Sequence, residues 1–232
     1  MKRLAIIPAR GGSKRIPQKN IRDFCGNPMI SYILETARKS QLFDVTHVST
    51  ESYEIRNVVE KLGFTIDFMR PMELADDFTP LMPVLRYVVD RYYNQGKSFN
   101  QVWLLMACSP LIRPQDLQNA SKKFENAGGT FPLLAVSEYP VPVEWAFSLS
   151  EEGKLTPVQP GLFSTRSQDL GKKYYDTGSF AIFPSENVQE SKGAGSDHGF
   201  IGYPLPKGSF IDIDDQEDWK IAEALFLYKS RS

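Results

Sequence analysis

Short apolar runs and stretches of helical spacing alternate along the chain. Residues 4–7 form an apolar run that ends at Pro8, and residues 28–40 carry apolar side chains at the three- and four-residue spacing of an amphipathic helix. A buried strand followed by a loop and such a helix is the first half of a βαβ unit. The pattern therefore predicts an α/β fold in which helices flank a mostly parallel sheet.

The same alternation continues through the first half of the chain. It predicts strands at residues 45–49, 65–68 and 102–107 and helices at residues 54–62, 83–93 and 117–124. Residues 102–107 read VWLLMA, a near-continuous apolar run typical of a strand buried on both faces. Pro114 lies where a proline can serve as the first residue of the helix that follows.

The rhythm changes at residues 131–175, where prolines are frequent and no long helical pattern occurs. The EEGK turn at residues 151–154 indicates a hairpin, and we expect short antiparallel strands that form an insertion within a single domain spanning residues 1–232. A floppy surface loop is the alternative, but Trp145 and Phe147 are more apolar than a solvated loop requires. The insertion is thus a candidate dimerisation arm, and we expect a homodimer.

Beyond the insertion the pattern returns to sheet and helix. We expect a strand at residues 179–183, a glycine-rich loop at 193–202, a strand at 209–214 and a closing helix at 215–228 with acidic residues in its first turn. These elements complete the predicted α/β domain.

Composition narrows the partners and the compartment. The chain has 232 residues, of which 41% are hydrophobic, and its 27 basic and 28 acidic side chains leave a net charge of −1, so we expect no nucleic-acid partner. No stretch resembles a membrane span or a signal peptide, so we expect no membrane partner and a cytoplasmic protein. Cys25 and Cys108 lack metal-ligand spacing, which indicates two buried thiols in a reducing compartment and no disulfide.

The loop after the first strand is cationic and contains two adjacent glycines. Its cations are Arg10, Lys14, Arg15 and Lys19, and its glycines are Gly11 and Gly12. Glycine lets backbone N–H groups approach an anion, although neither the P-loop spacing nor the dinucleotide-binding spacing of glycines occurs here. The pattern therefore favours binding of a nucleotide polyphosphate mainly through side-chain charge. A solvated basic turn is the alternative.

Acidic and apolar residues alternate near the end of the chain, at residues 210–215. On a strand, Asp212 and Asp214 project from the same face, where two carboxylates repel unless a cation lies between them. Mg²⁺ suits such a site because it binds one or two carboxylates together with phosphate oxygens and water. The alternative is a solvated strand face next to a helix N-terminus, where Asp215 serves as a cap.

Five segments in this order resemble the CMP-sialic acid synthetases, which are cytidylyltransferases for nine-carbon acid sugars. They are residues 6–21 (IIPARGGSKRIPQKNI), 42–52, 70–79, 109–113 and 212–215, which together span nearly the whole chain. The segment at residues 163–169 further resembles the pseudaminic acid cytidylyltransferases. Arg15 stands where the sialic acid enzymes have glycine.

The resemblance implies a Rossmann-like nucleotidyltransferase fold and a reaction of CTP with a nonulosonic acid. The anomeric hydroxyl of the sugar would attack the α-phosphate and release pyrophosphate in the presence of Mg²⁺, giving a CMP-sugar for surface glycans or protein glycosylation.

The resemblance also implies roles for individual residues. At the triphosphate it implies Arg10, Ser13, Lys14 and Lys19, with Gly11 and Gly12 in the same loop, and around cytosine and ribose it implies Ala9, Asn20 and Arg70. It implies Asp212 and Asp214 as metal ligands, and Arg166, Gln168 and Asp176 at the sugar. Arg166 would face the carboxylate of the sugar. Such a transfer needs positioning and charge neutralisation rather than a covalent nucleophile, so Arg10, Lys14, Lys19, Asp212 and Asp214 are the candidate catalytic residues.

Several positions depart from the sialic acid enzymes. Thr177 replaces the asparagine of an Asn-Gly pair, Met106 or its neighbour replaces a glutamine of the sugar site, and a lysine of the insertion is absent near Glu144. The sugar therefore stays open between pseudaminic acid, our first choice, and legionaminic or N-acetylneuraminic acid. A nucleotide-binding protein without turnover is the non-enzymatic alternative. We expect His47 and His198 to be structural or surface residues.

Overall fold

A six-stranded sheet forms the centre of the computed structural model, which describes residues 1–192 and 199–230. The strands are β1 (Arg3–Pro8), β2 (Asp23–Phe24), β3 (Asn27–Pro28), β4 (Val45–Ser49), β5 (Gln101–Leu105), β6 (Leu133–Glu138), β7 (Phe147–Leu149), β8 (Leu155–Pro157), β9 (Tyr174–Pro184) and β10 (Ile201–Pro204). The helices are α1 (Met29–Ser40), α2 (Tyr53–Lys61), α3 (Leu81–Tyr93), α4 (Pro114–Asn126), α5 (Ser185–Glu190) and α6 (Gln216–Ser230).

The strand order of the main sheet is β10-β6-β9-β5-β1-β4. Strand β1 pairs in parallel with β4 and β5, β6 pairs in parallel with β10, and β9 runs antiparallel between β5 and β6. The prediction of a mostly parallel sheet is therefore confirmed.

Alternate residues of β1 face two different helical layers, which explains its continuous apolar run. Ala5 and Ile7 pack in a cluster with α1 and α4, while Leu4 and Ile6 pack in a second cluster with α3. All four side chains are fully buried. A strand covered on both faces has no polar side to show, so helices on both sides of the sheet follow from its sequence.

Helix α4 begins at Pro114, as predicted. The residue before it, Arg113, donates its backbone N–H to the Asp116 carboxylate at 3.0 Å. The proline costs no hydrogen bond there because the first N–H groups of a helix lack intrahelical acceptors.

Two predicted strands are wrong. Residues 65–68 and 209–214 belong to no strand. In the first segment Ile66 and Phe68 lie in a loop and point their side chains into the core. In the second segment Ile213 is buried in a small cluster that includes Trp219 of α6. Anchoring a loop by single apolar residues produces the same alternation as a half-buried strand, but no neighbouring strand supplies hydrogen bonds.

Residues 133–138, at the start of the predicted insertion, form strand β6 of the main sheet, so the segment outside the main sheet runs from 139 to 173. Within it β7 and β8 pair antiparallel across the turn at residues 151–154, which confirms the predicted hairpin. Trp145 Nε1 donates to the Thr165 carbonyl at 3.1 Å and so joins the residues before the hairpin to those after it.

Three further expectations concern the cysteines, membrane-spanning segments and the glycine-rich loop with His198. Cys25 and Cys108 are free thiols, and both are partly rather than fully buried. None of the helices described is long and apolar enough to cross a membrane. His198 and residues 193–198 of the predicted glycine-rich loop lie outside the described residues.

Candidate active site

A cleft of about 490 Å³ opens at the carboxyl ends of β1 and β5. From β1 the chain passes to β4 on one side and later returns to β5 on the other side of β1. The loops that leave β1 and β5 therefore diverge, and in open α/β sheets ligands bind at such a switch point.

The cleft brings together most residues of the predicted nucleotide and metal sites. The predicted site residues that line the cleft are Arg10, Ser13, Lys14, Lys19, Asn20, Arg70, Asp212 and Asp214. The cationic loop and the acidic segment meet directly, because Lys19 Nζ donates to the Ile213 carbonyl at 2.6 Å and Arg15 Nη2 donates to Asp214 Oδ1 at 2.7 Å. Segments from the two ends of the chain thus form one site.

Two of the cations share an acid that was not among the predicted site residues. Arg10 Nη1 donates to Asp77 Oδ1 at 2.6 Å, and Lys14 Nζ forms an ion pair with Asp77 Oδ2. Both contacts hold the pKa of Asp77 below its ordinary value, the bond from Lys14 having the larger effect. Asp77 lies within residues 70–79, one of the five segments that carry the family resemblance, and this is the sequence signal that could have indicated it.

The N–H of Gly11 already has an anionic partner within the protein and is not free for a phosphate. Its N–H donates to Glu51 Oε1 at 2.6 Å, and a Cβ atom at this position would lie 3.1 Å from Ser52 Cβ. The close approach of the loop to the segment after β4 therefore explains the glycine. Gly12 faces open space, and Ala9, Gly11 and Gly12 are not among the residues that line the cleft.

Arg70 is a buried residue in the wall of the cleft, with only 7% of its surface exposed. Its Nε donates to Ser49 Oγ at 3.1 Å, its Nη2 to the Ser49 carbonyl at 2.5 Å and its Nη1 to the Leu74 carbonyl at 3.4 Å. Burial lowers the pKa of Arg70, and the charge of Glu51 opposes this effect. The guanidinium fastens the end of β4 to the loop that carries Asp77.

Asn20 has both ends of its side-chain amide engaged inside the protein. Its Nδ2 donates to the Arg10 carbonyl at 2.9 Å, and its Oδ1 accepts from Cys108 Sγ at 3.3 Å. Burial raises the pKa of Cys108 to about 11, so the thiol keeps its proton and can donate it. These bonds connect the loops after β1 and β5.

Asp212 and Asp214 carry negative charge that the protein neutralises only in part. Removal of water raises the pKa of Asp212, and the charge of Asp214 raises it further. The Asp212 carboxylate packs against Gly178, whose Cβ would lie 3.8 Å from Oδ2. Arg15 holds one oxygen of Asp214, and the backbone N–H of Asp214 donates to Asp218 Oδ2 at 2.9 Å.

This donor set fits a magnesium ion that keeps most of its coordination outside the protein. Within residues 1–192 and 199–230, no three or more His, Cys, Asp or Glu side chains gather as a metal-binding group. Two carboxylates are what Mg²⁺ takes from a protein when phosphate oxygens and water supply the remaining ligands.

The residues predicted at the sugar separate into two places. Asp176 accepts a hydrogen bond from the Gly178 N–H at 2.9 Å and lines two cavities next to the cleft, of about 940 Å³ and 500 Å³. The larger is mostly apolar and includes Met106 and Phe180, and the smaller includes Lys207 and Asp212. Only the smaller cavity includes a member of the acidic pair, Asp212, which it shares with the cleft.

Arg166 and Gln168 do not reach these cavities within one chain. Both are exposed on the arm, and neither lines the cleft or its two neighbours. Arg166 Nε donates to Asp169 Oδ2 at 2.8 Å instead.

The sequence profile of the family described as cytidylyltransferase matches residues 4–159. A pseudaminic acid cytidylyltransferase of Campylobacter jejuni is 36% identical over 100% of this chain and 99% of its own length. A CMP-N,N'-diacetyllegionaminic acid synthase of Legionella pneumophila is 30% identical over 97% of this chain and 96% of its own length.

Among solved structures, a CMP:2-keto-3-deoxy-manno-octonic acid synthetase complexed with CTP superimposes with a TM-score of 0.73. The match covers 99% of this chain and all of that one, at 16% sequence identity. At this identity the likeness shows the fold, and it confirms the predicted nucleotidyltransferase architecture.

Proposed function

The chain belongs to the cytidylyltransferase family, and we propose that it couples CTP to pseudaminic acid, giving the CMP-sugar and pyrophosphate. The observation that carries the substrate is the full-length relationship, at 36% identity, to a pseudaminic acid cytidylyltransferase. The cleft independently supports the use of a nucleoside triphosphate, because it combines cations for a polyphosphate with a pair of carboxylates.

In this proposal the loop after β1 holds the triphosphate. Arg10 and Lys14 line the cleft with Ser13, and Lys19 stands between them and the acidic segment. The anomeric hydroxyl of the sugar loses its proton to solvent, and its oxygen forms a bond to the α-phosphorus while the bond from that phosphorus to the bridging oxygen of the β-phosphate breaks, so that pyrophosphate leaves. Fixed cations favour this step because they neutralise the charge that moves onto the departing pyrophosphate.

We propose Asp212 and Asp214 as the residues that hold Mg²⁺. When bound, the ion supplies charge neutralisation and a template for phosphate oxygens. The two carboxylates face the same cleft as the cationic loop, and the raised pKa of Asp212 indicates a position that favours an added positive charge. Arg15 partly balances Asp214.

The sugar is proposed to lie against Asp176, next to Asp212. The larger cavity shares Gly178 with the cleft and the smaller one shares Asp212 with it, so a sugar in either cavity would lie beside the nucleotide. Arg166 is proposed to bind the sugar carboxylate. Since Arg166 lines neither the cleft nor the two cavities of its own chain, this role would require the arm of a second copy.

A homodimer through the arm is part of the proposal. Large apolar side chains of the arm are exposed to solvent: Leu149 by 69%, Leu155 by 62% and Phe163 by 60%. The rings of Phe147 and Phe163 pack edge to face, with 5.1 Å between their centroids. Apolar surface of this kind favours burial against another subunit. Light scattering at micromolar concentration should give a dimer, and a monomer would contradict this part of the proposal.

The cytoplasm is the proposed compartment, because both cysteines are free thiols as expected in reducing surroundings.

The experiment that tests the function is pyrophosphate release from CTP and Mg²⁺ with a panel of acid sugars. Pseudaminic acid should give the highest kcat/KM, with N,N'-diacetyllegionaminic and N-acetylneuraminic acid below it. A higher value for another sugar would overturn the substrate but keep the reaction. Binding of CTP with no release for any sugar would instead support a nucleotide-binding protein without turnover.

A further inference from the structure

Asp77 lies between the two cations assigned to the triphosphate and uses one carboxylate oxygen for each. Oδ1 accepts from Arg10 Nη1 at 2.6 Å, and Oδ2 pairs with Lys14 Nζ. The non-bridging oxygens of a phosphate would make the same charge-assisted bonds to these cations. The Asp77 carboxylate therefore makes the same kind of bonds to Arg10 and Lys14 as the phosphates that the two cations are proposed to bind.

The position of Asp77 does not depend on its own carboxylate. Asp76 Oδ1 accepts the N–H of Phe78 at 2.9 Å and the N–H of Thr79 at 2.6 Å, which closes the turn around Asp77. Arg10 Nη1 also donates to the Asp76 carbonyl at 3.0 Å. Changing the carboxylate of Asp77 should therefore leave the turn in place.

We propose that Asp77 is a positioning residue that stands in for the nucleotide phosphates when the cleft is free. It holds Arg10 and Lys14 side by side and yields them to the triphosphate. The inference rests on the proposed assignment of both cations to CTP. Without Asp77 the two like charges repel, and the Lys14 side chain, 80% exposed, has no other ion pair among the residues described.

Asp77 must then compete with every polyphosphate that enters the cleft. CTP displaces it on binding, and Asp77 recaptures the cations as pyrophosphate leaves. The competition is weak because these ion pairs are solvent-exposed, and each pair of this kind changes an equilibrium constant by about 1.5- to 5-fold. Asp77 therefore weakens the binding of CTP and of pyrophosphate to a similar extent.

The test is Asp77→Asn in the full chain, assayed with CTP, Mg²⁺ and the sugar that the panel selects. We expect the KM for CTP and the inhibition constant of pyrophosphate to fall together, by roughly 2- to 25-fold for the two ion pairs. The KM for the sugar should not change. Both constants should also rise more steeply with salt than in the parent protein, because the free cations are no longer neutralised.

Glu73→Gln is the matched control, since it removes the same charge from the same loop. Glu73 is exposed, and its carboxylate has no hydrogen bond or ion pair within the described part of the chain. It should behave as the parent protein. Asp77→Glu keeps the charge and should restore weaker CTP binding, whereas a purely structural role for Asp77 would not produce this order.

An unchanged or raised KM for CTP in Asp77→Asn would overturn the inference. Arg10→Ala, measured in parallel, separates this failure from a failure of the proposed function. If Arg10→Ala raises the KM for CTP while Asp77→Asn does not lower it, only the role of Asp77 is wrong. If Arg10→Ala leaves the KM for CTP unchanged, the assignment of the cationic loop to CTP is wrong, and the inference fails with it.

Discussion

Lys19 Nζ donates a hydrogen bond to the backbone carbonyl of Ile213 at 2.6 Å, joining residues that are 194 positions apart. Ile213 is buried, and its neighbours on either side are the two aspartates of the acidic segment. The bond therefore fixes the distance between the cations of the first loop and the carboxylates near the end of the chain. A reaction in which phosphate, cations and a metal act together depends on this distance.

The acidic pair provides the first prediction. Asp212→Asn and Asp214→Asn should each lower kcat by orders of magnitude and raise the Mg²⁺ concentration needed for half-maximal rate, because each removes a charge from the proposed ion site. Asp215→Asn is the control. It makes the same change one residue further on, and asparagine remains a good helix cap. Parent-like activity in both Asp212→Asn and Asp214→Asn would contradict the metal assignment.

Gly11 and Gly12 form a pair for testing the geometry of the cationic loop. Gly11→Ala places a Cβ 3.1 Å from Ser52 Cβ and should lower the free energy of unfolding by about 1–3 kcal/mol, as overpacking does. Gly12→Ala has no atom within 4 Å of its new Cβ and should have little effect. Urea denaturation measures both, and equal effects of the two substitutions would refute the close contact.

Arg166→Lys tests the sugar site. Lysine keeps the charge but loses the planar fork that binds a carboxylate through two nitrogens. We expect a raised KM for the sugar and an unchanged KM for CTP. The opposite result, with CTP impaired and the sugar spared, would place Arg166 in the nucleotide half of the site.

His47 predicts a pH dependence of stability. Its ring is stacked on Phe68 at 4.3 Å, Nδ1 lies 3.2 Å from the Tyr92 hydroxyl, and burial lowers the pKa of His47 to about 4. The unfolded chain binds this proton near pH 6.5, so the free energy of unfolding should fall as the pH drops from about 6.5 to 4, by about 3 kcal/mol.

His47→Gln should flatten this part of the stability curve. Urea denaturation between pH 7 and pH 4 measures it, with the variant and the parent protein compared at each pH because exposed carboxylates titrate in both. Curves of equal slope would show that His47 does not stay neutral in the folded protein.

Local chemistry explains what the sequence could predict. The predictions of strand β4 and of the start of α4 at Pro114 agree with the structure, because an apolar run and a helix-opening proline act over a few residues. The cations of the first loop were recognisable for the same reason. Their meeting with the acidic pair followed from the family resemblance and from the topology of the sheet.

Tertiary pairing explains what the sequence could not predict. Asp77 is 67 residues from Arg10, and Glu51 is 40 residues from Gly11, so no local pattern indicates either contact. Residues 65–68 and 209–214 alternate like strands, but whether a partner strand lies beside them depends on the complete fold. Residues 133–138 join the sheet only because β9 and β10 flank them.

Phosphorus NMR of the reaction mixture distinguishes transfer of an intact cytidylyl group to the sugar from hydrolysis of CTP. With CTP, Mg²⁺ and pseudaminic acid, the three CTP signals should decline together while one phosphodiester signal and pyrophosphate grow in a one-to-one molar ratio. Appearance of CMP and pyrophosphate without a phosphodiester, or persistence of CTP with every acid sugar of the panel, would show that the protein does not transfer a cytidylyl group to these sugars.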